Sequence, residues 1–245
     1  MRGAAVAAIL GLCAGVAMAQ DAPPVIEAAR YAEPTTRYPH GVLGDDVEWG
    51  ALVLDVTNCA DCADGEARQV VIRLPEARVF EDVAPRLADP DGDGLAEVIV
   101  VESDRTLGAR LAIHDAGGLV AATPFIGQRF RWLAPVGVAD LDGDGRAEIA
   151  YVDRPHLART LRVWRLEEGG LVELAALPGV TNHRIGETDI AGGIRECGAV
   201  PEMIVADADW SRLLAVTFDG TGLAARDIGP HEGRASFARA LDCAQ

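Results

Sequence analysis

One short pattern occurs twice in the chain: Ala88-Asp89-Pro90-Asp91-Gly92-Asp93-Gly94-Leu95-Ala96-Glu97, and again Ala139-Asp140-Leu141-Asp142-Gly143-Asp144-Gly145-Arg146-Ala147-Glu148. Each copy runs directly into an apolar, strand-like stretch, Val98-Ile99-Val100-Val101 or Ile149-Ala150-Tyr151-Val152. Carboxylates at alternate positions, with glycines between them to curl the backbone, can wrap a hard cation, because Ca²⁺ takes roughly six to eight oxygen ligands. An EF-hand is excluded. Its loop needs a bidentate Glu at the twelfth position, where this chain has Val100 or Tyr151, and neither flank has a helical pattern. An acid does stand at the ninth position, Glu97 or Glu148. The expected ligand sets are therefore Asp89, Asp91, Asp93 and Glu97 with the carbonyl of Leu95, and Asp140, Asp142, Asp144 and Glu148 with the carbonyl of Arg146. Two Ca²⁺ sites are expected.

Together with the lead-in Val136-Gly137-Val138-Ala139-Asp140, these loops resemble the FG-GAP and VCBS repeats of integrin-alpha-like β-propellers. The Phe-Gly and Gly-Ala-Pro signatures are absent at the corresponding places, so the VCBS type is the nearer match. The resemblance implies that each loop links the first two strands of a blade and binds calcium there.

Spacing extends the pattern along the chain with a period of roughly fifty residues, the range in which stacked or radial architectures repeat. Asp189 follows Asp140 at this spacing, and counting back from Asp89 leads to Gly44-Asp45-Asp46. Turn signals divide the third unit into expected strands at Leu133–Ala139, Ala147–Val152, Thr160–Leu166 and Leu171–Leu177. The second gives Arg86–Asp89, Glu97–Ser103, Ala109–His114 and Leu119–Ile126; the first gives Gly50–Val56, Gln69–Leu74 and Arg78–Glu81. The fourth gives Glu202–Ala206, Leu213–Phe218 and Leu223–Ile228, and a final strand is expected at Ser236–Asp242. The expected fold is all-β, a small β-propeller of four to five blades whose ring is closed by strands from the two chain ends; an open stack of sheets is the alternative. Residues 20–39 read as a Pro- and Ala-rich lead-in with an edge strand near Val25–Ala29, and residues 40–245 as the repeat domain. Trp49, Trp132, Trp164 and Trp210 recur within the repeats and are expected to pack between blades.

Residues 1–19 have the layout of a signal peptide: Arg2, an apolar run from Ala4 to Val16, then Ala17-Met18-Ala19. The product is expected to be periplasmic or secreted, with no membrane insertion after cleavage. A net charge of −16 disfavours nucleic acid and anionic membrane surfaces. Every basic side chain other than histidine is arginine, which excludes Schiff-base chemistry and a P-loop. Cys59, Cys62, Cys197 and Cys243 remain after the leader and allow three pairings. The acidic surroundings of Cys59-Ala60-Asp61-Cys62 argue against a reactive thiolate, so a local Cys59–Cys62 bridge is preferred, which leaves Cys197–Cys243.

The outer repeats have lost the Asp ladder but each keeps a histidine close by. His40, Asp45, Asp46, His183, Glu187 and Asp189 could converge in a closed ring as a metal or small-ligand site, and satisfied polar residues in turns is the plainer reading. No Gly-x-Ser-x-Gly elbow, His-Glu-x-x-His motif or Gly-rich phosphate loop occurs. The expectation is an exported, non-catalytic, calcium-binding module for a protein or glycan partner. The alternative is a metal-dependent hydrolase or lyase, with a channel-end site built from the first and fourth repeats.

Overall fold

The computed structural model describes residues 23–58 and 68–243; the leader at 1–19 and the Cys59-Cys62 pair lie outside the described residues. The chain forms consecutive antiparallel units. The first comprises β1 (Pro24–Thr35), β2 (Glu48–Asn58) and β3 (Arg68–Arg73), with β2 between the other two. In the second, β4 (Arg78–Phe80) and β5 (Arg86–Ala88) lie end to end along β6 (Glu97–Asp104), which is followed by β7 (Gly108–Asp115) and β8 (Gly118–Ala122). The third is an uninterrupted meander of β9 (Leu133–Ala139), β10 (Glu148–Asp153), β11 (Thr160–Glu167) and β12 (Gly170–Pro178). The fourth again has a split first strand, β13 (Val180–Thr181) and β14 (Gly193–Arg195), along β15 (Glu202–Asp207), then β16 (Arg212–Phe218) and β17 (Leu223–Pro230). A single short helix, α1 (Arg234–Leu241), follows. Because β4 also touches β2 through Trp49 and Phe80, the first two units merge into an eight-stranded sheet beside sheets of four and five strands. No helix among the described residues is long and apolar enough to cross a membrane.

The second strand of each unit explains how the units stack. All eight residues of β6 are buried, because alternate side chains of a strand point to opposite faces and both faces are covered. Val98 and Val100 pack toward Leu52, Leu54 and Phe80 of the preceding strands, whereas Ile99 and Val101 pack toward Trp132, Ile149 and Tyr151 of the third unit. The same division recurs in β10, where Ala150 and Val152 turn toward Met203, Val205 and Val216 of the fourth unit. In β15, Ile204 and Ala206 face the other way, onto Phe237 and Ala240 of α1. Each fully buried Val or Ile contributes roughly 1.5–3 kcal/mol, so a continuous apolar run is what a strand shared by two interfaces requires. The four tryptophans all border these interfaces, Trp132 and Trp164 most deeply. Tight turns built on aspartate close the hairpins: Asp115 accepts from the amides of Gly117 and Gly118 at 2.7 and 2.8 Å, and Asp219 from those of Thr221 and Gly222 at 2.9 and 2.8 Å.

Three sequence expectations are corrected. The strand expected at Ser236–Asp242 is the helix α1; its buried positions Ser236, Phe237 and Ala240 have helical spacing, and the segment is rich in Ala, Arg and Leu. No strand pairing of the two chain ends therefore occurs among the described residues. The strand expected at Arg78–Glu81 to complete the first unit is β4, which pairs chiefly with β6 of the second. Asp189 lies in the insertion between β13 and β14, so the loop that joins the first and second strands of the fourth unit is 196–201 instead. The lead-in is longer and more regular than expected, since β1 pairs with β2 from Pro24 to Thr35 with one register shift.

Candidate metal centre

Both Asp-rich loops sit between the first and second strands of their units, β5 to β6 and β9 to β10. Their backbones fold alike. Asp89 accepts from Gly92 and Gly94 at 2.7 and 2.9 Å, and Asp140 accepts from Gly143 and Gly145 at the same distances. Those glycines have φ between 77° and 89°, a left-handed conformation that side chains disfavour, while space for a Cβ is open at each. The glycines therefore serve backbone shape. The curl brings Asp89, Asp91 and Glu97 together, with one oxygen of each within 4.8 Å of the others, and does the same for Asp140, Asp142 and Glu148. Asp93 and Asp144, at the fifth positions, each accept from a following loop amide, that of Leu95 at 2.8 Å and that of Arg146 at 2.9 Å.

The two clusters differ in what faces them. In the second, Arg165 on β11 reaches in with its whole guanidinium: Nε donates to Glu148 at 2.6 Å, Nη2 to Asp142 at 3.0 Å, and Nη1 lies 3.0 Å from Asp144. The other oxygen of Glu148 accepts from the amide of Leu141 at 2.8 Å. In the first cluster neither donor exists. The residue matching Leu141 is Pro90, which has no N–H. The β6–β7 register pairs Val98 with His114 and, carried one residue further, sets Asp115 across from Glu97, whereas the residue paired with Glu148 is Arg165. Glu97, only 7% exposed, is left with a buried carboxylate oxygen that has no partner. Burial pushes its pKa up to about 7, with further upward pressure from Asp91, Asp93 and Asp89. A buried, unpartnered carboxylate oxygen facing further acids is an arrangement that a bound cation resolves.

The fourth unit keeps a glutamate at the corresponding strand start, Glu202, and closes the loop covalently. Arg195 donates to Glu202 at 2.9 and 2.7 Å and to the carbonyl of Ala240 at 2.8 Å, and Arg226 holds the other oxygen of Glu202 at 2.7 Å. Cys197, in the loop, is disulfide-bonded to Cys243 just beyond α1.

The histidine and acid residues of the outer repeats are brought near one another in backbone but not as a ligand set. The amide of Gly186 donates to Val42 at 3.0 Å, so the loops carrying His40 and His183 touch. His40 instead lies 2.5 Å from the buried Glu81, which also accepts from Ser103. His183 pairs with His156 at 3.0 Å and with the carbonyl of Glu187 at 2.9 Å. Glu187 and Asp189 both bind Arg234 at 2.7 Å, and Asp45 closes its own turn on Val47 at 2.8 Å. Burial pushes His156 down to about 4, with the neighbouring His183 and His40 acting in the same direction. Sequence reasoning missed Glu81, His156 and Arg165. Arg165 had a findable signal, since folding residues 148–165 as a hairpin centred on His156-Leu157 sets it opposite Glu148.

A groove of about 880 Å³ runs beside the first cluster, lined by Asp91, Val120, Arg146, Leu166, Glu167 and Gly170 among others. Leu119 and Val120 on its β8 side are about half exposed.

The fold and these loops define a class: an all-β protein made of repeated antiparallel units in which Asp-rich hairpin loops precede the central strands. Residues 89–151 match the model of the FG-GAP-like repeat, so the chain carries such a repeat from the first Asp-rich loop into β10. No curated protein matches the chain.

Proposed function

We propose that this protein is an extracytoplasmic binding module, a small propeller of four blades in which calcium at Asp89, Asp91 and Glu97 fixes the second blade. The observation that carries the metal reading is the orphaned, buried oxygen of Glu97 facing two aspartates. Oxygen-only donors in an acidic chain suit a hard cation, and calcium is the one abundant outside cells. The bound ion offsets the charge that these acids place on one another and thereby stabilises the hairpin between β5 and β6. Four units consecutive in sequence, with β6 and β10 each shared between two inter-unit interfaces, support the propeller. The Val42–Gly186 contact between the first and fourth units supports closure at the centre of the ring, with α1 in place of a closing strand.

The Cys197–Cys243 disulfide and the leader-like N-terminal sequence support export. The groove beside Asp91 is the surface offered to a partner. Its Val120 and Leu166, with Asp91, Glu167 and Glu168 outnumbering an Arg146 that is already paired with Glu167, suit a protein segment with apolar and basic side chains better than a sugar, which would call for a flat aromatic. The histidines of the outer repeats are committed to separate pairs, which favours binding over catalysis at that end.

The direct experiment compares thermal unfolding of purified protein in calcium and in EGTA, with Asp91→Asn alongside. Calcium is expected to raise Tm for the wild type and leave the variant unchanged. Equal melting of the wild type in both buffers would sink the metal reading. Pull-down from envelope extract with a Val120→Asp control, together with a glycan array, tests the partner; capture that ignores Val120, or binding to glycans alone, contradicts the groove assignment.

A further inference from the structure

The second Asp-rich loop has the same acids at the same spacing as the first, yet an arginine already faces them. Asp142, Asp144 and Glu148 each present an oxygen to the guanidinium of Arg165, at 3.0, 3.0 and 2.6 Å. Glu148 is fully buried and the Arg165 side chain only 10% exposed, so the contacts to Glu148 and Asp142 are made away from water, while Asp144 meets the guanidinium at the solvent edge. Both oxygens of Glu148 are satisfied, one by Arg165 and one by the Leu141 amide. A guanidinium carries a fixed charge and a planar fork of donors, so it supplies both the charge and the directed contacts that the acids would otherwise draw from a metal. A metal entering here would have to expel that group and leave it unpaired beside the site. In the first loop the extended register sets Asp115 at the facing position, its carboxylate turned to the amides of Gly117 and Gly118, and among the described residues no arginine is hydrogen-bonded to Asp89, Asp91 or Glu97.

We propose that Arg165 is a built-in cation: its guanidinium stands where a divalent ion would sit in the second loop, so the chain binds one calcium, at Asp89–Glu97, and not two. This rests on the metal reading of the first loop, and the two are separable by experiment. The fourth unit supports the same logic, since there Arg195 and Arg226 hold Glu202, in a loop without the Asp ladder. Across three units the glutamate at the strand start is thus met by a metal, by one arginine, or by two.

The test is calcium stoichiometry by equilibrium dialysis and native mass spectrometry on the full chain. Wild type is expected to bind one equivalent, lost in Asp89→Asn and kept in Asp140→Asn. Arg165→Gln is expected to bind two. The wild-type and aspartate variants alone decide the matter should Arg165→Gln not fold. Two equivalents in wild type, or one that depends on Asp140, overturns the inference and leaves calcium binding standing. No binding by wild type overturns the reading of the first loop instead; a single site then appearing in Arg165→Gln upholds the inference, and none there overturns both.

Discussion

The loops at 89–97 and 140–148 share their acids, their glycines and their internal hydrogen bonds, yet one leaves a buried carboxylate oxygen without a partner and the other satisfies every oxygen of its glutamate. The difference arises at two positions: Pro90 in place of Leu141 withdraws a backbone donor, and Asp115 in place of Arg165 withdraws a cation. Neither change touches an acid of the motif. A metal loop is therefore specified as much by the strand across the ladder as by its own residues, and a motif search confined to the loop counts two equal sites.

The largest expected effect comes from the loop that has dispensed with the Asp ladder. Replacing Cys197 and Cys243 by Ser is expected to cost about 4 kcal/mol from the entropy returned to the unfolded chain, read as a lower urea midpoint. Calcium should not restore it. Next is Arg165→Gln, which strips the partner from a buried carboxylate cluster and is expected to cost about 3 kcal/mol in calcium-free buffer. The loss should shrink in millimolar calcium; a loss indifferent to calcium would make Arg165 a packing residue and erase the contrast. Asp91→Asn should abolish the calcium-dependent gain in stability, about 2.7 kcal/mol when free calcium is a hundredfold above Kd, while Asp142→Asn leaves that gain in place.

The smallest effect is in pH dependence. Glu97 has its pKa raised to about 7 by burial and by its aspartate neighbours, so without metal the folded state favours the protonated form. Stability from this group is present below about pH 4.5 and lost as pH rises through about 7. In EGTA, Glu97→Gln should therefore unfold at higher urea than wild type at pH 8 and lose that advantage toward pH 4.5. Glu202 runs the other way. Burial works against its charge, but Arg195 and Arg226 hold it below the ordinary glutamate value, so its contribution is present at neutral pH and disappears as pH falls below that range. Parallel pH profiles for Glu97→Gln and Glu202→Gln would remove the distinction between a loop awaiting a cation and one that already has its own.

Much of the fold was legible because burial writes itself into the strands. β9 is read to the residue, and β6, β10 and β15 are each placed to within a residue at either end, since a strand clamped between two apolar faces admits few polar side chains. What was not legible depended on contacts across the chain. The fourth unit was misregistered because residues 182–192 are inserted into its first strand, so that Asp189 falls at the sequence period but outside the corresponding loop. The helix α1 was read as a strand because Ser236–Asp242 is short and half apolar, and only the spacing of Phe237 and Ala240 argues for a helix. The loops carrying His40 and His183 touch through Val42 and Gly186, but the partners of the two histidines, Glu81 and His156, lie in other units and carry no local signature. Arg165 sits on an expected strand and was passed over because a cation among acids looks, in sequence, like an ordinary surface ion pair.

The helix also covers an apolar face of the fourth unit. Ile204, Ala206, Leu213 and Ala215 form a face of the kind that, between the other units, receives the next sheet; here Phe237 and Ala240 lie across it, and the disulfide fastens the far end of the helix in place. In a ring of four units α1 is therefore what the fourth unit presents at the seam. Unlatched, the helix would bare that apolar face to solvent, so the Cys197–Cys243 bond also keeps a hydrophobic patch covered.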